Sequence, residues 1–229
     1  MPQFETWASL KAKVERDLDI QGEVFVRPDE LLGYANEAID EAEAEIFGLN
    51  QDYFLARSSI TLQMGQKSYT LPSNIFAKKI RRIVYNTGTS VYPVTHMRDW
   101  HKFESLALDD QLITANIYQY MLVNTTPGSP EILISPSPSE QATLDVWYIR
   151  NANRLTGLDS DIIDIPECLT FLTQFIKVRV YEKEGHPNFA AAVSILEQQR
   201  NLMRQKLADS VPDADNTIEG DYGIYTDMN

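Results

Sequence analysis

Apolar residues fall on two different repeats along this chain, and the switch between them divides it. Phe4, Trp7, Leu10, Val14 and Leu18 step by three and four, which puts them on one face of a first helix. Gly22 interrupts the pattern. Pro28-Asp29-Glu30 then supplies a pre-set helical first turn with acids at its positive end. Leu32, Ala35, Ile39, Ala42 and Ile46 form a narrow stripe suited to close packing on another helix, with Gly48 as the expected stop.

From about Ser58 the period becomes two. Ile60, Leu62 and Met64 alternate with polar residues, Gly65-Gln66 turns the chain, and Tyr69 and Leu71 continue the alternation to Pro72. Further strands are expected over Ile80–Tyr85 and Val91–Val94, joined by Asn86-Thr87-Gly88. Tyr118–Val123 and Glu131–Ser135 flank Pro127-Gly128-Ser129-Pro130 as a hairpin, and Leu144–Ile149 is another strand. Met97–Ala107 reads as a short helical connection. The block reads as a small antiparallel sheet, a sandwich or a partial barrel.

Helical period returns after Pro166, with Leu169, Leu172, Ile176 and Val180 on one face and Phe171 and Phe175 widening it. Gly185 and Pro187 separate this helix from a last one that uses Phe189, Val193, Leu196, Met203 and Leu207, interrupted by Arg200. Beyond Asp209 the composition turns to Asp, Pro, Gly and Tyr with no period, and reads as an extended tail. Neither terminal helical segment is large enough to bury a core alone. The expected class is therefore α+β, a discontinuous helical bundle from both chain ends with an inserted small antiparallel β domain. The divisions are 1–57 and 156–208 for the bundle, 58–155 for the insertion and 209–229 for the acidic tail.

Charge narrows the partners. Thirty-three acids against twenty bases give −13, which argues against a phosphate-gripping surface. After Lys206 the chain carries six acids (Asp209, Asp213, Asp215, Glu219, Asp221, Asp227) and no base. No apolar run approaches the roughly 18 residues of a spanning helix, so no membrane association is expected. The first residues mix charges into their apolar positions, unlike a secretory leader. A single cysteine, Cys168, excludes an intrachain disulfide and fits a reducing cytoplasm.

Candidate chemistry is sparse. His96 and His101 are five apart, a poor metal-ligand spacing, and His186 lies in an inter-helix turn. Cys168 opens an apolar-faced helix, where a small buried hydrophobe outweighs a nucleophile. No GxGxxG, GxxxxGK[ST] or GxSxG occurs. No catalytic, metal or cofactor residues are therefore assigned, and no enzyme is expected. Glu37, Asp40, Glu41, Glu43 and Glu45 read as a solvated helix face, or as acids facing a channel or a basic partner. Lys78, Lys79, Arg81 and Arg82 form the one compact basic cluster, as exposed sheet-edge charges or as a contact for phosphate or a neighbouring subunit.

The order of several short motifs carries a resemblance. Asp29-Glu30-Leu31-Leu32-Gly33-Tyr34-Ala35-Asn36-Glu37-Ala38 follows the first helix. Gly65 leads to Tyr69-Thr70-Leu71-Pro72. Gly128-Ser129-Pro130, Ile132-Leu133-Ile134-Ser135-Pro136-Ser137-Pro138 and Val146-Trp147-Tyr148 come next, and Ile165-Pro166-Glu167-Cys168-Leu169 opens the penultimate helix. In this order, over about residues 5–207, the chain resembles the head-to-tail adaptor (connector) proteins of short-tailed and related tailed bacteriophages, including the tubular tail protein under the portal. In that family Gly65…Pro72 matches a hairpin. The resemblance implies a structural virion protein, assembled in the host cytoplasm and placed at the head–tail interface. It implies a ring of this chain, usually twelve copies, bound to the portal above and to a tail or nozzle protein below. Genomic DNA would pass through the lumen without specific binding. Ile218, Tyr222, Ile224 and Tyr225 are the expected apolar anchors of the tail on the portal or a neighbouring subunit. The β-rich, aromatic insertion keeps open a receptor- or carbohydrate-binding tail module as the alternative.

Overall fold

A computed structural model describes residues 5–20, 25–106, 117–126 and 129–209. The chain is mixed α+β and divides into two compact units, one of residues 1–50 with 153–229 and one of residues 51–152. Phe4, Gly22, Ala107, Pro127, Gly128 and the segment beyond Asp209, with Ile218, Tyr222, Ile224 and Tyr225, lie outside the described residues.

In the first unit, α1 (Trp7–Leu18) starts at Thr6, whose hydroxyl accepts from the Ser9 amide while Ser9 accepts from the Thr6 amide. These reciprocal bonds satisfy two of the donors a helix start leaves open. It buries Trp7, Leu10 and Val14. α2 (Pro28–Leu49) begins on Pro28, and Glu30 accepts from the Arg27 amide at 2.9 Å. Its buried face is Leu31, Ala35, Ala38, Ile39, Ala42 and Ile46. Leu31 therefore heads the stripe in place of Leu32, which is half-buried. An added Cβ on Gly157, whose φ is +98°, would lie 3.2 Å from the Leu32 side chain. Gly48 does not stop the helix, which runs on to Leu49 and closes at Asn50.

A 3₁₀ turn at Pro166–Cys168 leads into α4 (Leu169–Glu184), which follows α3 (Trp100–Leu106) of the second unit in the chain. Gly185, left-handed at φ 64°, ends α4, and its amide reaches Tyr181 and Glu182 carbonyls. α5 (Phe189–Asp209) follows. α4 packs on α1, α2 and α5, and α2 also packs on α5. Each fully buried Ile or Leu on these faces contributes roughly 1.5–3 kcal/mol. The strands β1 (Glu5–Thr6) and β9 (Ile162–Ile163) pair at the start of α1.

The second unit is a seven-stranded sheet: β2 (Leu55–Leu62), β3 (Ser68–Thr70), β4 (Ile75–Asn86), β5 (Val91–His96), β6 (Tyr118–Thr126), β7 (Ser129–Ser135) and β8 (Ala142–Arg150). The order is β2-β8-β4-β5-β6-β7-β3. The β4–β5 and β6–β7 hairpins form as the turn residues indicate. Two pairings depart from the alternation-based reading. β5 and β6 are parallel, because their connection contains α3 (Trp100–Leu106) and is long enough to carry the chain back across the sheet. β3 pairs with β7 and β2 with β8, so the Gly65 turn joins no hairpin.

β2 and β3 are opposite ends of the strand order, yet only residues 63–67 separate them. The sheet must curl to satisfy both. Its concave side is filled from every strand, with Leu62, Tyr69, Tyr85, Tyr118, Ile132 and Leu144 among the buried residues. The Tyr85 and Tyr118 rings stack at 4.0 Å. The Tyr69 hydroxyl closes the β2–β3 turn: it accepts from the Gln63 amide at 3.1 Å and lies 2.9 Å from the Gln66 carbonyl.

Tyr69→Phe leaves the core volume intact but strips that hydroxyl from the turn. Thermal or urea unfolding is expected to show a loss of roughly 1–3 kcal/mol. An unchanged midpoint would mean the hydroxyl does not hold the turn.

Candidate functional site

The acids of α2 meet cations of their own chain. Lys183 Nζ reaches Glu30 at 2.7 Å, and Arg179 reaches Glu37 at 3.0 Å. Arg154 bridges Asp40 and Glu43, the latter at 2.8 Å. Arg200 reaches Glu41 at 2.6 Å, and Arg204 holds both Glu45 oxygens at 2.6 and 2.8 Å. The face read as solvated, or as open to a channel or basic partner, is thus tied to α4, α5 and the segment after Arg150. Glu43 is only 7% exposed, so it needs that cation. The spacing places acids on one helix face, and Glu37, Asp40 and Glu41 are exposed there as a solvated face requires, while Glu43 is buried. That spacing does not show that Arg179, Arg200 and Arg204 return to them from more than 130 residues away.

The Lys78–Arg82 cluster is taken apart by the backbone. Ala77 and Lys78 are both left-handed, at φ 45° and 56°, and the register to β8 shifts on either side of Ile80. Arg81 then turns to Asp52 at 2.6 Å, Lys79 lies over Phe76, and Arg82 lies over Trp147. Neither Lys78 nor Arg82 has a carboxylate partner among the described residues.

Pairing assembles a feature that the linear sequence hides. Arg57 on β2 and Arg82 on β4 both stand opposite Trp147 on β8, with guanidinium carbons 5.0 and 5.8 Å from its ring centroids. Two residues along the same face, Asp145 accepts from Ser59 at 2.6 Å and from Arg57 at 2.9 Å. The Ser59 bond, with Arg57, holds the Asp145 carboxyl below the usual carboxylate range against its burial. Further along, Thr61, Asn86, Thr87, Gly88, Gln141 and Thr143 line an open polar cleft of about 330 Å³. This face is cationic and aromatic at one end and uncharged and polar at the other.

The remaining candidates read as structure. Burial pushes the Cys168 thiol up to about 12, so it stays protonated at neutral pH. His96 stacks on Tyr120 and is pushed down by burial, and His186 stacks on Tyr181 while accepting from the Asn188 amide. Among the described residues no group of three His, Cys, Asp or Glu converges to hold a metal, and no helix is long and apolar enough to cross a membrane. Tyr118, Tyr120 and Tyr148 are core residues. Trp100 is half exposed beside Phe103, where Lys67, Glu104 and Leu133 complete a cleft of about 170 Å³.

Acid should loosen the helical unit. Asp17, Glu30 and Glu45 are held below their ordinary values chiefly by hydrogen bonds from Lys177, Lys183 and Arg204. Their folded pKa values lie below the unfolded ones, so this stabilisation is complete above about pH 5 and is lost as pH falls through the lower folded values. Urea midpoints should fall steadily below about pH 4, and Glu45→Gln should flatten that fall. Arg154→Leu should cost about 2–3 kcal/mol at pH 7 by withdrawing the cation from buried Glu43; a variant as stable as the parent would contradict this.

No curated protein matches the chain. The family model of the SU10 adaptor protein matches residues 5–219, which takes in both chain-end helical segments and the whole β unit. The chain belongs to that family of phage head–tail adaptors, and it is a structural component of a virion.

Proposed function

We propose that this chain is one subunit of a closed ring, twelve copies in all, seated beneath the portal at the head–tail interface. The ring joins the capsid to a tail or nozzle protein below and leaves a channel through which the genome leaves the head. It assembles in the host cytoplasm. The observation that carries the reading is the adaptor-family match over residues 5–219, which spans both compact units.

Physical features of the chain fit this use. A ring needs heterologous contacts whose rotation closes, and permanent subunit contacts bury on the order of 2,000 Å² or more. The helical unit pairs the α2 acids Glu30, Glu37, Asp40, Glu41, Glu43 and Glu45 internally and leaves apolar residues outside: Ile195 and Leu202, seven apart on α5, are 44% and 48% exposed, and Leu158 and Ile162 are 64% and 47% exposed. With −13 on each copy, a ring repels DNA and lets it slide without a specific contact. The segment after Asp209, with Ile218, Tyr222, Ile224 and Tyr225 as apolar anchors, is the part that reaches a portal or a neighbouring subunit. The receptor- or carbohydrate-binding alternative loses Tyr118, Tyr120 and Tyr148 as contact residues, since these are core.

Electron microscopy of the purified chain mixed with its portal ring tests the reading. A twelve-fold layer under the portal is expected, and truncation after Ser210 should abolish it. No added layer with the full chain would refute the ring; an equally good layer from the truncated chain would refute the role of the tail.

A further inference from the structure

Among the described residues, the outer edge of β2 is a strand edge without protection. β2 runs eight residues, Leu55–Leu62, at one end of the strand order and pairs with β8 alone. Sheets blunt such edges with bulges, charges, prolines or very short strands. The other open edges of this sheet do so: β3 has three residues, and the half of β4 without β5 beside it carries the Ala77-Lys78 bulge and the Lys78–Arg82 cations. β2 has no proline and no bulge. Its one charge, Arg57, is laid across the sheet to Asp145 and Trp147. On its concave side Ala56 and Ile60 are only partly buried against the core, so the core is open along this edge. On its convex side Leu55, Arg57, Ser59 and Thr61 are exposed, next to the Arg57–Trp147–Arg82 row.

The carboxy-terminal segment has the complementary pattern. It lacks a helical period, but all six of its acids, Asp209, Asp213, Asp215, Glu219, Asp221 and Asp227, occupy odd positions. Of the four apolar anchors, Ile218, Tyr222 and Ile224 occupy even ones, and Tyr225, past the end of the alternation, an odd one. In an extended conformation alternate residues point to opposite faces, so residues 213–224 would present carboxylates on one side and apolar groups on the other. The charge of the whole chain is divided in the same sense. Residues 51–152 hold nine bases and eight acids, whereas the rest hold eleven bases and 25 acids.

We infer that residues 213–224 of one copy add as a strand to the free edge of β2 in a neighbouring copy. Main-chain hydrogen bonds to β2 give the contact its strength, and alternate side chains give it its register. Glu219 and Asp221 lie on the convex face with Arg57, in the field of Arg82 and Lys78. Ile218, Tyr222 and Ile224 lie beside Ala56 and Ile60 and complete the open core. Every copy gives one strand and receives one, a head-to-tail contact that a ring can close. The inference deepens the ring reading by naming its donor segment and its receiving edge.

The test uses the full chain with a photo-crosslinking benzoylphenylalanine in place of Tyr222, mixed with isotope-labelled parent chain and the portal ring. Cross-links between a light and a heavy chain are expected within residues 55–62. In the same particles the amides of 55–62 should exchange at least about tenfold more slowly than in the Glu219→Lys/Asp221→Lys/Tyr222→Pro variant. That variant alters only the segment beyond Asp209, so loss of folding does not confound it. Cross-links confined to the portal, cross-links only within one chain, or equal exchange in parent and variant would each overturn the inference. A twelve-fold layer without cross-links at β2 sinks the inference and leaves the ring. Cross-links at β2 between chains that form no closed layer sink the ring and leave the inference.

Discussion

The ion pairs between α2 and the later part of the chain are the constraint on which the helical unit depends. α2 carries acids along one face and would repel itself if that face were bare. Lys183, Arg179, Arg200 and Arg204 come from helices that follow the entire β unit in sequence, and Arg154 comes from the segment that leads to them. The hydrophobic faces supply most of the free energy. The charges decide which faces meet, because α4 or α5 in another register would leave acid against acid. Exposed pairs of this kind are each worth at most about 1 kcal/mol, so their contribution is chiefly to specificity.

The same arrangement bears on function. A large acidic excess invites a reading in terms of basic partners or a repelling channel wall. Much of the acid on α2 is spent within the chain, and six of the thirteen net negative charges lie after Lys206. The exposed features of the described residues are then apolar spots on α5 and around Leu158, and in the β unit a cationic row and an open strand edge.

Much of the fold was legible because it is local. Steps of three and four placed Trp7, Leu10 and Val14, and Pro28 marked the start of α2. Turn residues marked the β4–β5 and β6–β7 hairpins. What failed was non-local. Leu31 displaces Leu32 because the face that is buried depends on what packs there. Alternation in β2 and β3 cannot reveal that β8 and β7 are their partners, nor that α3 turns β5 and β6 parallel. The Arg57–Trp147–Arg82 row exists only once the register is known, since its members lie 25 and 65 positions apart in sequence. The motif order that suggested an adaptor survived because each motif is a short local stretch, such as a turn of α2, the middle of β8 or the 3₁₀ entry to α4.

Amide hydrogen exchange of the free subunit tests most directly whether the two chain ends form one cooperative unit. The account predicts that the cores of α2, α4 and α5 open together, with one shared free energy, and that Arg204→Ala lowers that value in all three. Slow exchange in α4 and α5 that persists while α2 exchanges freely would contradict it.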